Sequence, residues 1–316
     1  MFSALITPFI HAINLRKNLK LAEQGDPDVQ NKLGIMYHNG TYVDQDDEQA
    51  LYWYRQAAEQ GYAPAQTNLG EMYEYGYGVP KDDGEAVFWY HKAAEKGDAT
   101  AQNSLAWMYE KGKGVAQDDA EAVRWYRRSA EQENVDAQYN LGVMYDAGKG
   151  VAQDSKKALY WYQKAAEQEY APAQMSMGLM YAEGNGVPKD NDEAIQWYEK
   201  AADHGYALAQ TLLGDLYEAK KNPIQAIEWY VKAAKQGEPT AQMNLGLMYG
   251  LGQNLTKNST LSYALLDMSM KGGNEAAKEI RDTVAKDMNS FQSYESMLLV
   301  QEPEKLWKLV DKSIKL

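Results

Sequence analysis

Residues 63–97 read APAQTNLGEMYEYGYGVPKDDGEAVFWYHKAAEKG. In the first half, Ala65, Leu69, Met72 and Tyr73 fall at i, i+4, i+7 and i+8. In the second, Ala86, Trp89, Tyr90, Ala93 and Ala94 fall at i, i+3, i+4, i+7 and i+8. Both spacings gather the apolar residues on one stripe of a helix. Between them lies GYGVPKDD, whose two glycines and proline mark a loop. The stretch predicts a helix A, a loop, a helix B and a short turn.

The same unit recurs along the chain. Trp53, Trp89, Trp125, Trp161 and Trp197 are each 36 residues apart, and Trp229 follows 32 later. Gln30, Gln66, Gln102, Gln138, Gln174 and Gln210 keep the 36-residue step, and Gln242 again follows after 32. Two independent markers with one period and one shared deletion define a tandem repeat.

Each helix B carries a start and a stop. Asp46, Asp82, Asp118, Asp154 and Asp190 recur at the period, followed three positions on by Gln49, Glu85, Glu121, Lys157 and Glu193. An acceptor with Glu or Gln at +3 is the capping-box arrangement. A calcium loop would need a denser run of ligands around a central glycine, which DQDDEQ at 44–49 lacks. Gly61, Gly97, Gly205 and Gly237 follow helix B, where a left-handed residue closes the last turn. Glu133 and Glu169 stand there instead, which predicts two strained or differently closed turns.

The pattern AQxxLGxMYxxGxGVxxDxxxAxxWYxKAAEQG closely resembles the Sel-one-like repeat, a relative of the tetratricopeptide repeat. The resemblance covers roughly residues 27 to 288, with three departures. Ala106 replaces the helix A glycine of the third unit. The sixth unit loses its loop glycines and reads YEAKKNPIQAIEWY. The seventh has Leu265 and Leu266 in place of Trp and Tyr. The family implies an all-α, right-handed α-α superhelical solenoid whose inner face is lined mainly by helix A. Its members act as adaptors and scaffolds in bacterial host interaction and secretion and in eukaryotic protein quality control.

The expected organisation is an N-terminal capping helix over 1–26, seven repeats over 27–273, and a half-repeat with capping helices over 274–316. Thr7-Pro8 reads as the start of the first cap helix. The last helix carries Leu306, Trp307, Leu309, Val310 and Ile314 among lysines, a stripe expected to cap the array.

Composition narrows the function. The chain has 316 residues, a net charge of −13 and no cysteine. Thiol catalysis and thiolate metal ligation are therefore excluded, and the missing thiols fit a reducing compartment. The acidity disfavours nucleic acid and anionic membrane surfaces. No window is apolar enough for a membrane span. The start, MFSALITPFI, is short, interrupted by Pro8 and preceded by no basic residue, unlike a secretory signal. A cytoplasmic location is expected, with a periplasmic or secreted one as the alternative.

His11, His38, His91 and His204 lie at different repeat positions, with no clustered metal ligands. Nucleophile elbow, phosphate loop and S-x-x-K motifs are absent. The expectation is no catalytic residue, no cofactor and no metal.

Comparison between repeats points to a binding face. A residue kept in every unit serves packing, so the Trp-Tyr pairs read as core, and glycines 70, 142, 178, 214 and 246 as points of close helix approach. Two helix A positions vary instead: Ile35, Glu71, Trp107, Val143, Leu179, Asp215 and Leu247 at one, and Asn31, Thr67, Asn103, Tyr139, Met175, Thr211 and Met243 at the other. They lie four apart on one helical face. By analogy with tetratricopeptide repeats, this face lines the groove. Trp107 lies outside the repeated Trp set. With Tyr139, Val143, Met175 and Leu179 it forms a candidate apolar patch, rimmed by Glu71, Glu110, Asp146, Glu183 and Asp215. The expected partner is another protein or a peptide, held by a scaffold or adaptor. The alternatives are an immunity or inhibitor protein acting on a toxin or effector enzyme, and an exported bacterial host-interaction factor.

Overall fold

A computed structural model describes residues 16–314, and every helix and every absence below refers to those residues. The expected helix start at Thr7-Pro8 lies outside them. Eighteen helices and no strand are present. The contacts divide the chain into two compact units, 1–168 and 169–316.

The first unit contains α1 (16–23), α2 (Pro27–Asn39), α3 (Asp47–Glu59), α4 (Ala63–Tyr75), α5 (Asp83–Glu95), α6 (Ala99–Lys111), α7 (Asp119–Ala130), α8 (Val135–Ala147) and α9 (Ser155–Glu167). The second contains α10 (Ala171–Glu183), α11 (Asn191–Asp203), α12 (Ala207–Ala219), α13 (Pro223–Lys235), α14 (Pro239–Leu251) and α15 (Ser259–Lys271). It continues with α16 (Ala276–Lys286), α17 (Ser290–Gln301) and α18 (Pro303–Ile314). Even-numbered helices from α2 to α14 are the A helices, and each packs on the B helix that follows it. Within a unit, each B helix also packs on the next A helix. This is an all-α solenoid of helix pairs.

The helix caps form as the sequence indicates, with one difference. Each Asp N-cap accepts the N3 backbone N–H, from Gln49, Glu85, Glu121, Lys157 and Glu193 in turn. The reciprocal half of the capping box is missing at these sites, because the cap's own N–H is already used. Asp82 donates its backbone N–H to the carbonyl of Tyr73 at 2.9 Å, and Asp118 to that of Tyr109 at 3.0 Å. A helix A carbonyl thus takes the donor that a capping-box glutamate would need. The full box occurs at Asn289 and Gln292 of α17. Glu133 and Glu169 adopt the left-handed conformation that glycine takes elsewhere, at φ 65 and 62. Their turns keep the shared geometry and carry the strain.

The repeated glutamine is a carbonyl cap. Gln66 Nε2 donates to the Ala58 carbonyl at 3.0 Å and Gln102 Nε2 to that of Ala94 at 3.0 Å, both buried. Each reaches back to the C-terminus of the preceding B helix, where carbonyls lack intrahelical partners. The helix A glycine is a contact point. A Cβ on Gly70 or on Gly142 would stand 2.6 Å from the ring of Tyr90 or Tyr162. A side chain there would collide with the ring, so the glycine lets the tyrosine approach the A helix closely.

In the second unit, Leu306 and Val310 of α18 and Leu299 of α17 are buried with Tyr230, Leu261 and Leu265. Lys235 and Asp311 pair at 2.7 Å across this junction.

Candidate protein-binding face

In the first unit the candidate residues sit on α4, α6 and α8. Adjacent A helices are tied by asparagines at the variable face. Asn68 donates to Asn31 at 2.8 Å, and Asn140 donates to Asn103 at 3.2 Å. Trp107 on α6 is half-buried, and the Lys113 ammonium lies 4.3 Å over its ring. Val143 on α8 is 37% exposed. Tyr139 is half-buried, and its ring centre lies 5.7 Å from that of the buried Tyr162. It therefore serves both the face and the core.

The acidic residues divide into two kinds. Glu71 makes no hydrogen bond or ion pair. Burial, and then the charge of Glu74, push its carboxyl above the ordinary range, against a weaker pull from His38. Glu110 goes the other way. Burial alone would raise it, but hydrogen bonds from Lys111 and Tyr126, joined by Lys149, hold it below the usual range. The Tyr126 hydroxyl donates to it at 2.9 Å, and Lys149 reaches both Glu110 at 3.3 Å and Asp119 at 3.4 Å. Glu110 is thus a staple between repeats, not the free rim acid expected from sequence. Glu74 is the parallel case, buried and accepting from the Tyr90 hydroxyl at 2.7 Å.

In the second unit, Met175 and Leu179 on α10 are half-buried and packed against the cluster of Ala194, Ile195 and Tyr198. Part of their surface belongs to the core, which the expectation of a free patch missed. Asp215 on α12 reaches solvent. It accepts from the Tyr230 hydroxyl at 2.6 Å and from Asn244 at 3.2 Å. Burial raises its carboxyl above the ordinary range. The Tyr230 bond opposes this, and the charges of Glu218 and Glu238 add to it.

The repeated tryptophans are core in the first unit only in part. Trp53, Trp89 and Trp125 are buried, but Trp161 is half-buried. In the second unit Trp197 and Trp229 are half-buried, with Lys200 and Lys232 lying 3.8 and 3.7 Å over their rings. The sequence reading missed one aromatic row. Tyr52, Phe88 and Tyr160 precede their tryptophans, stay exposed and meet them edge-on. Tyr52 and Phe88 stand one repeat apart and Tyr160 two repeats further on, with Arg124 at the position between, and that spacing was the available signal.

No group of three or more metal-ligating side chains occurs among the described residues. His38 pairs with Asp47 at 2.7 Å, and His91 lies 3.6 Å from Glu95, so these two histidines are local partners of one carboxylate each. None of the described helices is long and apolar enough to cross a membrane.

The Sel1 repeat profile matches seven consecutive segments: 27–62, 63–98, 99–134, 135–170, 171–206, 207–238 and 239–274. The chain belongs to the Sel1 repeat family, whose fold is typical of protein-interaction scaffolds. A Sel1 repeat protein from Oxalobacter formigenes is 36% identical, with a TM-score of 0.68 over 85% of this chain and 79% of that one. A protective antigen of uropathogenic Escherichia coli with an SLR fold is 30% identical, covering 93% of this chain and 81% of its own, at a TM-score of 0.48. An immunity protein from Pseudomonas aeruginosa is 23% identical over 71% of this chain and 83% of its own, at a TM-score of 0.40. The search of curated proteins found no match.

Proposed function

We propose that this protein is a non-enzymatic, cytoplasmic scaffold that holds a partner protein or peptide against its A helices. In the first unit the contact residues are Glu71, Trp107, Tyr139 and Val143, and in the second Met175, Leu179 and Asp215. Trp107 carries the reading. It is half-exposed, it stands outside the repeated tryptophan set, and its helix A position holds other residue types in the other repeats. Half-exposed tryptophan is a frequent anchor of protein interfaces. Glu71 adds a desolvated carboxylate without a counter-ion, which a basic residue of the partner would neutralise. With the net charge of −13, this favours basic targets. A basic effector enzyme held in an inhibited state is the narrower form of the same reading.

The test is co-purification from native lysate with parent protein and with a Trp107→Ala, Leu179→Glu variant of unchanged circular dichroism. A partner held by the parent and lost by the variant supports the assignment. A partner kept by both moves the binding site elsewhere.

A further inference from the structure

In repeats two and three the helix B tyrosine donates to a carboxylate four residues beyond the small helix A residue, Gly70 or Ala106: Tyr90 to Glu74 at 2.7 Å, and Tyr126 to Glu110 at 2.9 Å. Repeat seven has lost both partners. Leu266 replaces the tyrosine and Gly250 replaces the carboxylate. Repeats one and five also lack the carboxylate, with His38 and Ala182 at its place, but they keep the tyrosine; repeat seven lacks both, and beside Gly250 it has an open cleft of about 400 Å³. Leu247, Leu251, Ile280 and Val284 supply its apolar walls, from α14 and α16. Gly250 lies between them. A Cβ there would stand 2.9 Å from Ser262 Oγ and 3.6 Å from Val284 Cγ2. Leu251 is 71% exposed, an unusual cost for a leucine on the wall of a cleft.

The charged groups in the lining are Glu279, Asp287 and Lys257. Neither carboxylate makes an ion pair, and both are exposed at the mouth. The cleft is therefore apolar inside and negative in balance at its edge.

We propose that this cleft is a pocket for one bulky apolar side chain of a partner peptide that carries a lysine or arginine beside it. The cleft is large enough to admit a phenylalanine or leucine side chain. Glu279 and Asp287 select the neighbouring cation. The proposal rests on the scaffold reading above and adds to it a partner chemistry and a second site. It uses none of the residues assigned to the first site, so the two stand or fall on different measurements.

The experiment uses the full chain with ¹³C-labelled Ile, Leu and Val methyl groups. The probes are acetyl-Phe-Lys-amide and acetyl-Phe-Glu-amide. The lysine dipeptide is expected to shift the Ile280 and Val284 methyl signals saturably, with Kd on the order of millimolar for one buried side chain. The glutamate dipeptide should bind about threefold more weakly. Val284→Trp should abolish the shifts by filling the cleft. Glu279→Lys with Asp287→Lys, both on the surface, should keep the pocket and reverse the preference. A Trp107→Ala variant should leave every shift unchanged. Flat titrations with both probes overturn the proposal. Equal binding of the two probes overturns the cationic partner. A concentration-dependent dimer in sedimentation that Val284→Trp abolishes overturns it too, because the occupant is then a second copy of the chain.

Discussion

Repeat two and repeat seven meet one packing requirement with different chemistry. In repeat two, Gly70 lets the Tyr90 ring approach α4 closely, and the Tyr90 hydroxyl donates to the buried Glu74. In repeat seven, Gly246 faces Leu266 instead, where an added Cβ would stand 2.8 Å from Leu266 Cγ. No hydroxyl extends beyond that leucine. Ser262 Oγ donates to the Gly246 carbonyl at 2.6 Å, and Gly250 occupies the carboxylate's place. The contact between a small A-helix residue and a large B-helix side chain is what the fold requires. The hydroxyl–carboxylate pair is a separable addition: His38 and Ala182 stand at the carboxylate's place in repeats one and five, where the tyrosine is kept.

The largest effect should come from removing the shared contact. Tyr90→Ala is expected to cost about 3–5 kcal/mol, the range for truncating a buried aromatic side chain. It also strands Glu74. Leu266→Ala removes a smaller side chain with no polar partner, at about 2–5 kcal/mol. Urea denaturation of both variants ranks them. A cost at repeat seven well above that at repeat two would mean that the hydroxyl–carboxylate pair contributes nothing. Gly70→Ala comes next, because its Cβ would overlap the Tyr90 ring at 2.6 Å. Overpacking of this kind costs about 1–3 kcal/mol. Repeat three offers the reverse change, since Ala106 already occupies that position beside a buried Tyr126. Ala106→Gly is expected to cost up to about 1 kcal/mol of helix propensity. A stabilising Ala106→Gly would show that the third repeat stores the overlap as strain.

Tyr90→Phe isolates the addition itself. It keeps the ring on Gly70 and leaves a buried carboxylate one donor short, for a cost of about 1–3 kcal/mol. An unchanged denaturation midpoint would remove the pair from the list of stabilising features and leave the ring contact alone.

The fold was legible because the period was legible. The 36-residue spacing of Trp, Gln and Asp locates the helices, their caps and the sixth-repeat deletion without any tertiary information. What lay beyond reach was pairing between side chains on different helices. Glu71 and Glu110 look alike as residues on helix A. Only the third dimension puts Lys149, from the next repeat, beside Glu110, and no cation of that kind beside Glu71. The cleft in repeat seven was hidden for the same reason. The Trp-Tyr exchange at Leu265 and Leu266 and the glycine at 250 were visible, but the cleft is walled by Ile280 and Val284 of α16, whose packing beside α14 no spacing rule gives. The spread of exposure among the repeated tryptophans also depends on neighbours, such as Lys200 and Lys232, that no spacing rule names.

Glu71 and Glu110 give the finest test of how far the chemistry of two helix A carboxylates can diverge. Glu71 has a folded pKa raised above its unfolded value, first by burial. The stability it contributes is therefore present below the unfolded value and lost as pH rises through the folded one. Glu71→Gln removes that loss, so the variant should melt slightly above the parent at pH 7 and level with it at pH 4. Glu110 has a folded pKa held below its unfolded value, because its hydrogen bonds outweigh burial. Its contribution is present above the unfolded value and disappears as pH falls through the folded one. Glu110→Gln should therefore melt below the parent at pH 7, and that deficit should close in acid. Thermal melts of the two variants at both pH values read the signs directly. If both shift in the same direction at pH 7, the contrast between a stapled and an unpaired carboxylate is wrong. The basic-partner argument built on Glu71 then loses its support as well.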